Sequence, residues 1–414
     1  MFRDWGQSVS PVLAVSTAAV LVSLLAAAVV AFAAFAAGIS GDGPLRALLL
    51  GNAAAALGAG VTLAAFLRSP RSDTAKVDSS DEEVVESWCG WWREGILGRT
   101  DDPPGALPPV AIEAYLRVRD SCGEAAGAAL DQLGIRFGVA RALKERLLAA
   151  NGPEAALALE DVGRGRISGA LDRVFGFLPE RGAEQPSLFD LRKTGVHPVV
   201  QRAALRAAAR ILAILPPKSA RAGCDRLASH LAQARLSPEV TAEVILLLED
   251  AARAIVPALL QERELPGPNL RGVLHAAGRL RLTSALHQVL ALTSHDDAEV
   301  RAAALRALRA IGEVPPAGEV SLRATMRDEQ AFVRVHATRA AGLLPQGTAI
   351  DVLWGRLGDS SWWVRLAAAE TLHGLGPAGA ASILAASEHH PDPFARDMAR
   401  QFASAGGGRS GKWD

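Results

Sequence analysis

A segment of roughly 30 residues recurs along the second half of this 414-residue chain. The clearest copies carry a Val-Arg or Ala-Arg pair after a turn rich in Asp or Pro. These pairs begin at Val300, Val333, Val364 and Ala395, with spacings of 33, 31 and 31 residues. Weaker copies begin at Val200, Val240 and Leu270, with spacings of 40, 30 and 30 residues up to Val300. Self-similarity at a near-constant period predicts an array of structural repeats.

Each copy has the pattern of two helices joined by a turn. The motif V-R-x-x-A-x-x-x-L places apolar residues at i, i+4 and i+8, on one face of a helix. A Gly or Pro stop follows, and a shorter apolar helix leads to the next turn. One such pair cannot bury its apolar face alone, whereas stacked neighbours can. The pattern therefore predicts an all-α fold, an α-solenoid of helix pairs.

At these residues the sequence resembles the HEAT-repeat family, in particular the short bacterial HEAT-like repeats of the phycobilin-lyase type. The resemblance is clear over about residues 270–406 and extends to about 190, so we expect HEAT-like repeats at 191–406 and degenerate helical repeats at 110–190. It implies a right-handed superhelix that serves as an interaction surface. Residues 407–414 are expected to form a flexible tail.

The resemblance also implies a charge ladder between neighbouring repeats, formed by a turn Asp and the Arg that follows the anchor residue. We expect Asp297 with Arg301, Asp359 with Arg365 and Asp392 with Arg396. Arg334 has Asp328 or Glu329 within reach. The ladder is expected to break at Gln201 and Thr241, where the Arg is missing.

Two uncharged stretches lie near the N-terminus. Residues 11–38 and 47–67 are each long enough to cross a bilayer core of about 30 Å as a helix. Residues 39–46 can form only a short external loop between them. Basic residues flank the pair, which places residues 1–10 in the cytoplasm. We therefore expect two transmembrane helices in the cell (inner) membrane, a multi-pass topology and a cytoplasmic repeat domain. A cleavable signal peptide and a buried globular hairpin are the alternatives.

Residues 68–109 are expected to hold a juxtamembrane helix and a Pro-rich linker. A helix here would place Val84, Trp88, Trp91 and Trp92 on one face. That face could dock onto the repeat domain, or it could lie in the membrane interface, where Trp side chains are favoured.

Two groups of side chains are candidates for partner binding. The residue before the anchor is aromatic in the last three copies, and the group comprises Phe332, Trp362, Trp363 and Phe394. Such a stripe is a docking ridge if it is exposed, and part of the core if it packs between repeats. Arg202, Arg206 and Arg210 share one helical face, which suits a phosphate-rich ligand, an anionic lipid headgroup or an acidic partner; the alternative is a solvated face with intramolecular ion pairs.

Composition and motifs argue against other functions. Lys and Arg (44) balance Asp and Glu (44), so the large basic excess typical of nucleic-acid-binding proteins is absent and we expect no nucleic-acid partner. The three cysteines are far apart, and no His lies at zinc spacing from them, so no metal is expected. The sequence lacks G-x-S-x-G, P-loop, G-x-G-x-x-G and HExxH motifs.

We therefore expect no enzyme and no cofactor. The sequence favours a membrane-anchored scaffold or adaptor that has the lipid bilayer and an unidentified protein as its partners, for example a membrane enzyme or transporter. The alternatives are a HEAT-like enzyme of the lyase or glycosylase type and a structural subunit of a membrane complex.

Overall fold

The computed structural model describes residues 79–99, 107–179, 197–262, 265–315 and 318–404. Nineteen α-helices and several short 3₁₀ turns form this part of the chain, which contains no strand. The expected transmembrane stretches, their loop and flanks, and the tail at 407–414 lie outside it. None of the described helices combines the length and the apolar content that a bilayer crossing needs.

The helices are, in chain order, α1 (Ser79–Ile96), α2 (Pro109–Ser121), α3 (Glu124–Arg136), α4 (Val139–Ala149), α5 (Ala155–Arg164), α6 (Leu171–Phe175), α7 (Pro198–Ala213), α8 (Pro217–Gln233), α9 (Pro238–Leu246), α10 (Ala252–Leu259), α11 (Gly267–Arg279), α12 (Leu286–Ala291), α13 (Ala298–Ile311), α14 (Gly318–Thr325), α15 (Ala331–Ala340), α16 (Gln346–Arg356), α17 (Trp362–Gly374), α18 (Pro377–His389) and α19 (Pro393–Ser404). The described chain from Cys89 onward belongs to one compact unit, and residues 79–88 belong to another.

Local sequence signals fix many of the helix ends. Six helices begin with Pro, whose fixed φ and missing N–H suit the first helical position; they are α2, α7, α8, α9, α18 and α19. Gly312 ends α13 in a left-handed conformation (φ 90°), which glycine adopts without a steric penalty. These signals explain why the helices remain short enough to form pairs.

From α5 onward, the helices alternate between two layers. The odd-numbered helices, here called the first helices, pack side by side along the array, and the even-numbered ones pack against that layer. All-helical folding in stacked pairs is therefore confirmed. The handedness of the superhelix remains a prediction.

Small side chains allow the first helices to approach closely. A Cβ added at Gly163 of α5 would lie 2.7 Å from Ala207 Cα of α7, and one added at Gly278 of α11 would lie 3.2 Å from Ala307 Cα of α13. Alanine is the most frequent buried residue of α7 and α13 for the same reason. Close approach of this kind buries apolar surface between repeats without large side chains.

Helices α5 and α6 form a repeat unit that sequence spacing alone did not reveal. Residues 163–171 (GRGRISGAL) match residues 278–286 (GRLRLTSAL) in pattern. In both segments the second Arg has a positive φ, 50° at Arg166 and 48° at Arg281, and a 3₁₀ turn follows. The degenerate region therefore contains at least one unit with the same turn as the later array.

At one expected anchor, Val240, the buried position is displaced by one residue, and next to a second, the buried Leu270, a polar residue is buried as well. Thr241 and Asn269 are fully buried, whereas Val240, next to Thr241, is only half-buried. The Asn269 amide donates to the carbonyl oxygens of Leu231 (2.8 Å) and Ala234 (2.6 Å). Polar residues can occupy these buried positions because the preceding turn satisfies their hydrogen bonds. A search for apolar residues at helical spacing does not predict buried polar residues.

The face of α1 also differs from the expected one. Val85, Cys89 and Trp92 are buried at i, i+4 and i+7, whereas Val84 is exposed. The Trp92 indole donates to the Ala111 carbonyl oxygen (2.9 Å) and meets the Tyr115 ring edge to face, with ring centroids 5.2 Å apart. Trp92 therefore docks into the helical domain, and the membrane-interface interpretation does not hold for this side chain.

The helix contact at Gly163 gives a direct test of this packing. Replacing Gly163 with Ala is expected to lower the free energy of unfolding by about 1–3 kcal/mol, because the new Cβ would displace the α7 backbone. The matched control is Gly347→Ala in α16, where nothing lies within 4 Å of the added Cβ, and its effect is expected to stay below about 0.5 kcal/mol. Urea unfolding followed by circular dichroism measures both, and equal effects would contradict the packing argument.

Candidate functional site

Two of the arginines that follow an anchor, Arg301 and Arg334, connect one repeat to the next. Arg301 donates through Nε and Nη2 to both carboxylate oxygens of Asp328, at 2.7 and 3.0 Å. Arg334 makes the same two bonds to Asp359, at 3.0 and 2.9 Å. In each case Nη1 turns back to the carbonyl oxygens of its own turn, those of His295 and Asp296 for Arg301. Each guanidinium therefore ties its own turn to the turn of the following repeat.

The expected pairings within repeats are wrong. Asp297 instead accepts a hydrogen bond from the Glu299 N–H (2.9 Å), and Asp392 accepts one from the Ala395 N–H (3.0 Å), so both cap their own helices. Arg365 and Arg396 donate to turn carbonyl oxygens, those of Asp359 (2.8 Å) and His390 (2.6 Å). A short Asp side chain next to a helix start is close to free N–H groups, whereas a long Arg side chain can span the gap between repeats.

The ladder depends on the residue five positions before the anchor. This residue is Asp328 or Asp359 inside the ladder, but His295 or His390 in the flanking repeats. His390 accepts from the Asp392 N–H through Nδ1 (3.1 Å), and its Nε2 lies 3.2 Å from the Trp354 carbonyl oxygen. The histidine keeps the local turn but offers the preceding arginine no carboxylate.

Arg365 is the next arginine along the array, and it lacks the carboxylate partner that Arg301 and Arg334 have. Its Nε is buried without a hydrogen-bond partner in the described part of the chain, and its guanidinium lies 5.3 Å from the centroid of the Phe394 ring. An aromatic face thus takes the place of the missing carboxylate. The sequence shows His in place of Asp at this repeat position. That this change removes a carboxylate from the preceding arginine is recognisable only once the structure shows which residue each ladder arginine contacts.

Charge and burial compete at the ladder carboxylates. Burial alone would raise the pKa of Asp328 and Asp359. The hydrogen bonds from Arg301 to Asp328 and from Arg334 to Asp359, with the backbone N–H groups of Gln330 and Ser361, outweigh burial and hold the pKa of both carboxyls below the ordinary value. Both side chains therefore stay ionised at neutral pH.

Aromatic side chains line the starts of three consecutive first helices. Phe332 (38% exposed), Trp362 (46%), Trp363 (65%) and Phe394 (64%) lie in the first turns of α15, α17 and α19; they are called the aromatic ridge below. Each anchor that follows is fully buried. Because one helical step rotates a side chain by about 100°, the residue before a buried anchor points away from the core.

The interpretation that this stripe packs between repeats is therefore wrong. Trp362 and Trp363 meet edge to face with ring centroids 4.8 Å apart. Large apolar residues that are exposed at the same position of successive repeats form a patch of the kind that marks interaction surfaces.

The three arginines of α7 have different environments. Arg206 donates to Glu160 of α5 (3.3 Å) and to Glu243 of α9 (2.7 Å), and Arg210 donates to Glu160 (3.1 Å). Arg202 is exposed on the same helix. The structure thus pairs two of the three candidates within the chain, which corresponds to the alternative of intramolecular ion pairs.

A cleft of about 1180 Å³ is bordered by α2, α3 and the turns after α7 and α9. An ion pair between Arg119 and Asp131 (2.8 Å) forms part of its wall, and Cys122 and Cys224 also line it. Burial, and secondarily Asp225, raise the pKa of the Cys224 thiol, which therefore stays protonated and lacks the thiolate character of a nucleophile. Among the described residues, no cluster of His, Cys, Asp or Glu side chains could hold a metal ion.

Comparison with known proteins finds a repeat-family match over part of this site. Residues 319–403, which include the whole aromatic ridge, match the family model described as HEAT repeats. This supports the HEAT-repeat resemblance for the last repeats. A crystal structure of an engineered protein from the Northeast Structural Genomics Consortium is 17% identical, with 80% of this chain and 96% of that chain covered and a TM-score of 0.35. A search of curated proteins gave no match.

The inter-repeat ladder predicts unequal costs for two aspartates. Asp359→Ala leaves Arg334 without its carboxylate and is expected to lower the free energy of unfolding by about 3–5 kcal/mol. The control Asp297→Ala removes only a helix cap and is expected to cost about 1 kcal/mol. Chemical denaturation of the full chain measures both values.

The same pair of variants gives a pH test. The lowered pKa of Asp359 means that its stabilising contribution is present above the unfolded-state value of about 4 and is lost as the pH falls through the folded-state pKa. The difference in unfolding free energy between wild type and Asp359→Ala should therefore shrink below about pH 4. A difference that stays constant as the pH falls through this range would contradict the ionic origin of the ladder.

Proposed function

We propose that this protein is a membrane-anchored helical-repeat scaffold that holds a partner protein at the cytoplasmic face of the cell (inner) membrane. The stretches at 11–38 and 47–67 serve as its anchor, and the aromatic ridge serves as its docking surface. A membrane enzyme or transporter is the natural partner. A repeat array is suited to this task because it presents an extended surface made of equivalent positions.

The observation that carries the proposal is the exposure of the aromatic ridge. Trp363 and Phe394 each expose about two thirds of their surface, although aromatic side chains gain strongly from burial. Each ring precedes a fully buried anchor. The ladder holds the turn before Trp363, and Arg365 lies against the Phe394 ring, so both rings are presented on a rigid support. Rigid aromatic side chains with little entropy to lose dominate the binding energy of protein interfaces.

The sequence supports the membrane anchor independently of the ridge. Two uncharged stretches with basic flanks have the lengths and the charge asymmetry of a transmembrane hairpin. Confinement to a membrane raises the effective concentration of a partner in the same membrane. A moderate affinity at the ridge is then sufficient for stable association.

Binding is favoured over catalysis by the chemistry of the cleft near α2 and α3. Its wall carries an ion pair that is already satisfied internally and a buried, protonated thiol. Neither group is poised for acid–base or nucleophilic work. The cleft therefore gives no reason to prefer the enzyme alternative.

Site-specific photo-crosslinking tests the docking surface. A photoreactive residue at Trp363 in the full chain in native membranes is expected to give a discrete adduct with another protein. The same residue at Leu384, which is 57% exposed on the second helix α18, is the matched control and should give none. Loss of the adduct in a Phe394→Ala background would show that neighbouring ridge residues act together, and equal adducts at 363 and 384 would refute the ridge as the docking site.

Membrane fractionation tests the anchor separately. The full chain is expected to stay in the membrane pellet after alkaline carbonate and high-salt washes, because helices that span the bilayer are held by apolar burial and not by charge. Deletion of residues 11–67 should move the chain to the aqueous fraction. Recovery of the full chain in the aqueous fraction would contradict the anchor and would leave the crosslinking result unaffected.

A further inference from the structure

The surface between α11 and α13 contains a narrow groove of unusual charge. The groove has a volume of about 160 Å³, and the basic residues that line it are Arg271, Arg279, Arg306 and His275; we call it the arginine groove. The remaining lining residues are Leu274, Gly278, Ala303, Ala307 and Ala310, so no carboxylate lines it. Small apolar residues thus form the floor between cationic side chains.

Helix geometry explains how these basic residues come together. Arg271, His275 and Arg279 are four residues apart and share one face of α11. Gly278 brings this face against Ala307 and Ala310 of α13, since an added Cβ would lie 3.2 Å from Ala307 Cα and 3.1 Å from Ala310 Cβ. The close contact places Arg306 opposite the α11 cations.

Two arginines of the groove, Arg279 and Arg306, lack the carboxylate partners that several other arginines of the first helices have. Arg206, Arg210, Arg301 and Arg334 all donate to carboxylates at 2.7–3.3 Å. By contrast, Arg279, Arg306 and the adjacent Arg309 make no hydrogen bond or ion pair with any described residue. Arg271 approaches Glu299 only at 3.6 Å, and its Nε is buried without a partner in the described chain.

The excess positive charge extends to the next first helix. His336 of α15 is half-buried, and its pKa falls to about 4 because of burial and, next, because of Arg306, Arg339 and Arg309. Arg339 has Glu370 at 3.5 Å, but Arg306 and Arg309 are not neutralised. In a chain whose formal net charge is zero, this is a localised surplus of cations.

We propose that the arginine groove binds an extended acidic segment of a partner protein, whose Asp or Glu carboxylates pair with Arg271, Arg279 and Arg306. The guanidinium group matches a carboxylate in shape and charge. The molecule already uses this pairing between separate segments in Arg301–Asp328 and Arg334–Asp359. The ladder thus shows, within the same molecule, the kind of arginine–carboxylate pair that we propose for the groove.

The surroundings of the groove favour a polypeptide over a nucleic acid. A wider cleft of about 730 Å³ continues from Arg271 and His275 toward α9, where Leu246 and Leu247 offer an apolar wall. Glu239 and Glu243 also line this wider cleft, beside Arg271 and Arg306, so its α9 end repels any anionic group and suits an apolar stretch of the ligand, which a nucleic acid with a charge at every step cannot provide. An acidic segment that alternates carboxylates with apolar side chains fits both parts of this surface.

This surface is independent of the aromatic ridge. The arginine groove is formed by α11 and α13, whereas the ridge lies at the starts of α15, α17 and α19. Either surface can therefore fail its test without affecting the other.

Fluorescence anisotropy with the full chain in detergent micelles tests the proposal. The probe is a labelled twelve-residue peptide of alternating Glu and Leu, and the comparison peptide has Gln in place of Glu. The wild-type chain is expected to bind the Glu peptide at least tenfold more tightly than the Gln peptide, and this preference should weaken as salt rises from 50 to 500 mM because screening reduces ionic attraction.

Variants locate the site. Arg279→Gln with Arg306→Gln is expected to weaken binding of the Glu peptide at least tenfold. The matched control is Arg221→Gln with Arg327→Gln, two exposed arginines outside the groove, and it should bind like wild type. Circular dichroism melting curves verify that all variants fold alike, as expected for exposed side chains.

A second readout does not depend on variants. Carboxylates bound in the groove should raise the low pKa of His336, which NMR titration of the imidazole with and without the Glu peptide measures. The proposal is overturned if the Glu and Gln peptides bind equally, if the groove variant binds like wild type, or if a 20-base-pair DNA duplex displaces the Glu peptide at a lower concentration than unlabelled Glu peptide does.

Discussion

The architecture depends on the close stacking of first helices through alanine and glycine. A Cβ at Gly163 or Gly278 would collide with, or press on, the neighbouring helix, so the backbones themselves form much of the interface. Such an interface buries apolar surface with few large side chains, and this explains how a chain with only 5% aromatic residues builds a continuous core. The ladder, the ridge and the groove lie outside this interface: the ladder at the turns, the ridge at the helix starts and the groove on the surface of α11 and α13.

The ladder fixes how neighbouring repeats are aligned in this stack. Arg301 and Arg334 each bind a carboxylate of the following repeat and the carbonyl oxygens of their own turn, which fixes the register between neighbours. Where His390 replaces the aspartate, Arg365 lies against Phe394 instead. The end of the ladder and the end of the aromatic ridge thus share one contact, so a residue that stabilises the fold also orients an exposed ring.

The ridge and the groove give one array two surfaces of different chemistry. The ridge offers apolar, rigid side chains at helix starts. The groove offers guanidinium groups between helices, and those of Arg279 and Arg306 have no ion pair among the described residues. Aromatic contacts contribute affinity through desolvation, whereas charged contacts mainly select the partner and speed its association. A scaffold that carries both can distinguish partners that either surface alone would bind equally.

The sequence alone determined the repeat period, the all-helical class and the equivalent position of the aromatic residues in successive repeats, because these follow from spacing along the chain. It did not determine the acceptors of the ladder arginines, the buried roles of Thr241 and Asn269, or the face of α1 that docks through Trp92. Those features depend on which residues of separate repeats meet. The exposure of the ridge and the unpaired state of Arg279 and Arg306 were likewise decided only by tertiary structure, since burial and ion pairing are properties of neighbours in space and not of neighbours in sequence.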